Sequence, residues 1–80
     1  MFSVRKTAVP ELPVISGDEC MRALAKVGYA VARSKGSHFR LVCPGRPPVT
    51  VPRHRELDRG TLRGIIRQAE LTPEEFVDLL

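Results

Sequence analysis

The strongest candidate for chemistry in this chain is a histidine that directly follows a glycine turn. His38 comes after Gly36 and Ser37, at the start of a segment in which apolar and polar residues alternate. The unperturbed pKa of histidine lies near neutrality, so such a ring takes up or releases a proton under physiological conditions. The type and position of His38 suit acid-base catalysis, although a lone histidine at a strand start is more often a surface or structural residue.

Positive charge surrounds this histidine in the sequence. Its nearest cations are Arg33, Lys35 and Arg40. Cations stabilise the negative charge that builds on a phosphate group under attack, and the amides of a glycine turn can approach a phosphate oxygen closely. Cleavage of RNA by its own 2′-hydroxyl needs a proton carrier and this charge stabilisation, but it does not require a metal.

His54 is the other histidine of the chain, and the sequence leaves its role open. Acid-base cleavage of RNA is easiest with two proton carriers, which would make His54 the general acid. The residue also lies in a basic connecting segment, 53–57, where a phosphate contact or a contact with a protein partner is an equally good interpretation.

A change of the apolar pattern to a period of two predicts a strand from Tyr29 onward. In a regular strand Tyr29, Val31 and Arg33 face one way and the residues between them face the other. A tight turn at 35–36, where glycine permits a positive φ, returns the chain antiparallel to this strand.

The second strand, 37–43, determines which way His38 faces. Phe39 and Leu41 are apolar and alternate with His38 and Arg40. If the apolar side is the core side, alternation places His38 and Arg40 together on the open face of the sheet.

Capping residues and apolar periodicity set the remaining elements. Ser16 with Glu19, and Thr72 with Glu75, form capping boxes, and Asp58 caps the helix between them. The predicted elements are a helix over 17–27, strands over 29–34, 37–43 and 49–51, a helix from 59 to 68 and a short helix after 72. A proline-rich turn over 44–48 separates the second and third strands.

This order predicts an α+β fold, α-β-β-β-α plus a short C-terminal helix. The three-stranded antiparallel sheet carries the helices on one face and leaves the His38 face toward solvent. Residues 1–15 contain two prolines and no regular apolar spacing, which predicts an extended leader. Val14 and Ile15, at its end, are predicted to dock on the domain. Residues 16–80 are expected to form a single domain.

Composition indicates the class of partner and the compartment. The formal net charge is +4, and most of the arginines fall between residues 33 and 67, which favours a polyanion as partner. No apolar run is long enough for a membrane span, and no signal peptide is apparent. Cys20 and Cys43 lack metal-ligand spacing and are expected to be buried free thiols, so a cytoplasmic protein without cofactor or bound metal is predicted.

Five motifs in the same order and spacing resemble the HicA (YcfA-like) toxin family over about residues 12–79. They are Ser16-Gly17-Asp18-Glu19, Gly28-Tyr29, Lys35-Gly36-Ser37-His38, Val49-Thr50-Val51-Pro52-Arg53-His54 and Gly60-Thr61-Leu62-Arg63-Gly64-Ile65-Ile66-Arg67-Gln68-Ala69. The resemblance implies a fold like that of a double-stranded-RNA-binding domain, and an mRNA interferase of a type II toxin-antitoxin system. It also implies that His38 is catalytic and that a HicB antitoxin masks the active site.

The expected function is therefore metal-independent endoribonuclease cleavage of single-stranded mRNA, by a protein that is monomeric alone and hetero-oligomeric with a HicB-like antitoxin. The predicted RNA contacts are Arg33, Lys35, Gly36, Ser37, Arg40, Arg53, Arg59 and Arg63. Arg59 and Arg63 lie four apart on one helix face with Arg67, a pattern that is also typical of a solvated face. A non-catalytic RNA-binding module is the alternative. A DNA-binding regulator is weakened by glycines within the second helix and by the lack of a helix-turn-helix pair.

Overall fold

The computed structural model of this protein describes residues 11–80, in which three helices accompany one antiparallel sheet. The elements are α1 (Gly17–Ala25), β1 (Ala30–Lys35), β2 (His38–Cys43), β3 (Arg46–Pro52), α2 (Arg59–Gln68) and α3 (Pro73–Asp78). The strand order is β1-β2-β3 with both pairings antiparallel. The predicted α+β class and the order of elements are confirmed.

The helices begin where their capping residues predict. Ser16 and Glu19 form a reciprocal capping box at α1, and Thr72 and Glu75 form another at α3. The Asp58 carboxylate accepts a hydrogen bond from the Thr61 amide at the start of α2. Helix α1 ends at Ala25, two residues earlier than predicted.

The core lies between the sheet and the helices. Leu41, Val49 and Val51 of the sheet are buried with Leu62 and Ile66 of α2, and all belong to one apolar cluster. Helices α1 and α2 pack chiefly against β3, whereas every residue of β1 is exposed. The predicted arrangement of helices on one face is therefore correct, but the helices do not cover β1 on that face.

A β-bulge at Ala32 corrects the regular alternation predicted for the first strand. Val31 lies opposite Leu41 and Arg33 lies opposite Arg40, so one extra residue of β1 stands between these two pairs. Opposed residues share a face, so Val31 is on the core side of the sheet while Arg33 is on the open side. Because the bulge shifts the phase by one residue, Val31 and Arg33 do not share the face that a period of two predicts.

The third strand is longer than predicted. The turn comprises only Pro44 and Gly45, and β3 begins at Arg46 and runs through Pro47 and Pro48. Proline is tolerated here for two reasons. The strand β3 is an edge of the sheet, and its register with β2 shifts by one residue in this stretch. At such a bulge the backbone amide that proline lacks is not needed for pairing with the neighbouring strand. The Tyr29 hydroxyl donates a hydrogen bond to the Pro47 carbonyl at 2.7 Å, which ties this stretch to the core.

Part of the predicted leader contributes to the core. Leu12 and Ile15 are buried, and the Leu57 amide donates to the Ile15 carbonyl at 2.8 Å. Docking of Ile15 is confirmed, whereas Val14 is 60% exposed and its predicted docking is wrong. Residues 1–10 lie outside the described part, so the division into a leader of residues 1–15 and a domain of 16–80 stays a prediction.

Several sequence expectations concern thiols, metals and membranes. Cys20 and Cys43 are buried free thiols, as predicted. Within residues 11–80, no three side chains of the types that ligate metals come together. None of the helices in this part of the chain combines the length and the apolar character that a bilayer span requires.

Candidate active site

His38 is the first residue of β2 and lies beside the turn of the β1–β2 hairpin. Lys35 and His38 are paired across the ladder, so Gly36 and Ser37 form the turn between them, one residue later than predicted. Gly36 has a φ of 59°, in the left-handed region that favours glycine. His38 is also paired with Pro52 of β3, so both neighbouring strands fix its backbone.

The His38 side chain lines a concavity that we call the basic cleft. It is lined by Arg33, Lys35, His38, Arg40 and Thr50. The strand register explains this set: Arg33, Arg40 and Thr50 form a row across the three strands, and Lys35 lies opposite His38. Opposed residues share a face, and all five are exposed.

The cations of the basic cleft lack ionic partners among the described residues. Arg33 and Arg40 are directly opposed like charges, an arrangement that destabilises a sheet. No carboxylate of residues 11–80 forms an ion pair with either arginine or with Lys35. A concave surface with several positive charges of this kind attracts an anion.

The two histidines of the chain lie close together. The ring centroids of His38 and His54 are 6.5 Å apart and the ring planes are inclined at 72°. Both residues are exposed, and neither ring forms a hydrogen bond with another residue of the described part of the chain. Their ring nitrogens are therefore free to contact a bound substrate.

The start of α1 holds the backbone of His54. The Gly17 amide donates a hydrogen bond to the His54 carbonyl at 2.9 Å. Gly17 is buried, and a Cβ at this position would overlap the carbonyl oxygen of Pro52 and crowd the Cα of Arg53. Only glycine lets α1 approach the segment after β3 this closely, so residue 17 has a packing role that extends to the candidate site.

Arg53 joins the loop after β3 to two other elements. Its amide donates to the Ser37 carbonyl at 2.6 Å, and its guanidinium pairs with the Asp18 carboxylate at 3.1 Å. The same guanidinium lies 5.7 Å from the centroid of the Phe39 ring. Exposed contacts of these two kinds contribute about 1 kcal/mol or less each. Arg53 therefore differs from the cleft cations, because a carboxylate already balances its charge.

The two predicted RNA contacts on α2 lie apart from the basic cleft. Arg59 forms an ion pair with Glu11 at 3.6 Å. Arg63 lines a groove with Ile66 and Leu71, on the side of α2 that meets α3. The residues that line this groove do not include His38 or any cation of the basic cleft.

Sequence reasoning missed two contributors to this region. Thr50 lines the basic cleft, and alternation with the buried Val49 and Val51 was a sufficient signal for its outward direction. The sequence indicates Gly17 only as part of a capping box. Its hydrogen bond to His54 joins residues 37 positions apart in the sequence, and a pattern of neighbouring residues cannot predict such a contact.

Comparison with known proteins identifies the family. The family model described as "HicA toxin of bacterial toxin-antitoxin" matches residues 17–71, which is more than half of the chain. One chain of a solved toxin-antitoxin complex from Streptococcus pneumoniae has the same fold, with a TM-score of 0.64 and 36% sequence identity. The match covers 71% of this chain and 98% of that one. No curated protein sequence matches. The matched region contains both histidines and every cation of the basic cleft, and the chain belongs to the HicA toxin family.

Proposed function

We propose that this protein is the toxin of a type II toxin-antitoxin system and that it cleaves mRNA as an endoribonuclease. The observation that carries the proposal is the basic cleft, in which His38 lies among three cations. Within residues 11–80 the His38 ring forms no hydrogen bond and none of the three cations forms an ion pair. Its membership of the HicA toxin family supports the biological role. RNA cleavage in the cytoplasm would use both of these features, a proton carrier and positive charge.

The catalytic residue in this proposal is His38. RNA can be cleaved by its own 2′-hydroxyl once a base removes the hydroxyl proton and positive charge stabilises the phosphorane-like transition state. Arg33, Lys35 and Arg40 line the same cleft and supply that charge. The amides of the adjacent glycine turn would donate further hydrogen bonds to a phosphate oxygen. No metal is required for this reaction.

A HicB-like antitoxin is the proposed protein partner. The solved structure similar to this chain is a toxin-antitoxin complex, which supports an antitoxin for this chain as well. A partner that covers the basic cleft would block access of RNA to His38, and acidic groups would complement the cations there. Alone the toxin would be a monomer, and with the antitoxin a hetero-oligomer.

The test compares cleavage with binding in a single variant. His38→Ala should abolish cleavage of a defined single-stranded RNA while RNA affinity stays close to that of wild type. Val42→Ala is the matched control, because Val42 is an exposed residue of the same strand and face and does not line the basic cleft. Cleavage by His38→Ala at the wild-type rate would contradict the catalytic role. RNA binding without cleavage by the wild-type protein would favour a non-catalytic RNA-binding module.

A further inference from the structure

We propose that His54 is the second proton carrier of this site and acts as the general acid, while His38 acts as the general base. This inference rests on the proposed function and adds a catalytic residue to it. It depends on where the fold places His54 and on what holds it there.

The separation of the rings suits one phosphodiester between them. The centroids are 6.5 Å apart and the planes are inclined at 72°, so the rings do not stack on one another. A catalytic nitrogen must come within about 2.6–3.2 Å of the oxygen whose proton it takes or supplies. A phosphate bound between His38 and His54 presents different oxygens to the two rings, as a displacement with entering and leaving groups on opposite sides requires.

Contacts from α1 and from the β1–β2 turn hold His54 and the residue before it. The amide of Gly17 in α1 donates to the His54 carbonyl, and the amide of Arg53 donates to the Ser37 carbonyl beside His38. Arg53 also pairs with Asp18 of α1. Since a catalytic pair works only when its separation is maintained, this bracing is what a two-histidine site needs.

The proposed function determines which ring has which role. His38 lies among Arg33, Lys35 and Arg40 and is the base of that proposal. The role of acid therefore falls to His54, whose ring lies nearby and forms no hydrogen bond with another residue of 11–80.

The resulting reaction balances without a further reactant. The neutral His38 ring accepts the proton of the 2′-hydroxyl as the 2′-oxygen forms a bond to phosphorus. The bond from phosphorus to the 5′-oxygen breaks, and the protonated His54 ring donates its proton to that oxygen. The products are a 2′,3′-cyclic phosphate and a 5′-hydroxyl. Proton exchange with water then returns both rings to their starting states.

A leaving-group substitution tests the role of His54 directly. His54→Gln should lower the rate of cleavage of ordinary RNA by about 10²–10⁴-fold, because the 5′-alkoxide then leaves without a proton. RNA in which sulfur replaces the bridging 5′-oxygen needs no such proton, since a thiol is far more acidic than an alcohol. His54→Gln should therefore cleave the sulfur-linked RNA at nearly the wild-type rate, whereas His38→Gln should remain inactive on both substrates.

Controls separate this inference from simpler roles and from the proposed function. Glu56→Gln, an exposed neighbour in the same loop, should cleave both substrates like wild type, and unfolding curves should show that each variant is folded. Three results would overturn the assignment. The first is cleavage of ordinary RNA by His54→Gln at the wild-type rate, and the second is an equal loss of rate by this variant on both substrates. The third is recovery of activity on the sulfur-linked RNA by His38→Gln and not by His54→Gln. If the folded wild-type protein cleaved neither substrate, the proposed nuclease function itself would fail.

Discussion

Arg33 and Arg40 face each other directly across the β1–β2 ladder, on the side of the sheet that carries His38. Two like charges in this position weaken strand pairing. No carboxylate of residues 11–80 pairs with either side chain. A fold keeps such a pair at a cost, and the proposed binding of RNA would compensate for that cost. Substitution of either arginine can therefore distinguish an effect on stability from an effect on RNA binding.

Replacing either arginine should have opposite effects on folding and on RNA. Arg33→Ala or Arg40→Ala relieves the repulsion, so the free energy of unfolding should stay constant or rise by up to about 1 kcal/mol. RNA affinity should fall, and its dependence on log salt concentration should become shallower by about 0.7 for each phosphate that the variant no longer neutralises. Denaturant unfolding and RNA titration at several salt concentrations measure both. Arg22→Ala, an exposed α1 cation, is the control that should leave RNA affinity unchanged.

The bulge at Ala32 should be necessary for both the core and the cleft. Deletion of Ala32 removes the phase shift, so the chain can no longer place Tyr29 in the core and Arg33 in the cleft together. We expect this deletion to lower stability and to abolish cleavage, whereas Ala32→Ser, which keeps the residue count, should preserve both. Thermal unfolding and RNA cleavage of the two variants provide the comparison. A stable, active deletion variant would show that the bulge does not position Arg33.

Two glycines in helices should respond to alanine in opposite directions. Gly64 lies inside α2, and a Cβ there would meet no atom within 4 Å, so Gly64→Ala should raise the free energy of unfolding by about 1 kcal/mol. Gly17→Ala instead forces a Cβ against the Pro52 backbone and should cost on the order of 1–3 kcal/mol. Urea unfolding measures both. Equal effects of the two substitutions would contradict the close packing of α1 on the segment before His54.

Alkaline pH should destabilise the fold through a buried thiol. Burial raises the pKa of the Cys20 thiol to about 12, and burial also raises the pKa of the Tyr29 hydroxyl. An unfolded cysteine ionises near pH 8.5, roughly. The contribution of the neutral thiol to the free energy of unfolding is therefore complete below that pH. It is lost as the pH rises from there toward the folded pKa, by about 1.4 kcal/mol per pH unit.

The variant Cys20→Ala isolates that contribution. The decline of its unfolding free energy above about pH 8.5 should be shallower than in wild type, even though the smaller side chain lowers stability at neutral pH. Urea unfolding over a series of alkaline pH values measures the two slopes. Identical slopes would show that Cys20 is not held neutral by burial.

Local patterns were sufficient for most of the fold. The capping boxes at Ser16 and Thr72, the Asp58 cap and the apolar repeat of α2 depend on neighbouring residues alone, and the structure has each of them. Alternation along β2 was also sufficient to place His38 opposite the apolar face, because Phe39 and Leu41 leave only one orientation that buries them.

The features that sequence reasoning missed depend on contacts between distant residues. The Ala32 bulge resolves a conflict between Tyr29, which is buried, and Arg33, which lines the cleft, and the conflict exists only once β2 is in place. The proline stretch of β3 pairs because that strand is an edge, which depends on the strand order. The approach of α1 to His54 rests on Gly17 and on a backbone 37 residues away.

The proposed catalysis by His38, without a metal, can be measured in one experiment. The purified protein is incubated with a defined single-stranded RNA in excess chelator, and the cleavage rates of wild type and His38→Ala are measured side by side. We expect wild-type cleavage to persist in the chelator and His38→Ala to yield no product. Wild-type cleavage that stops in the chelator, or cleavage by His38→Ala at the wild-type rate, would contradict the proposal.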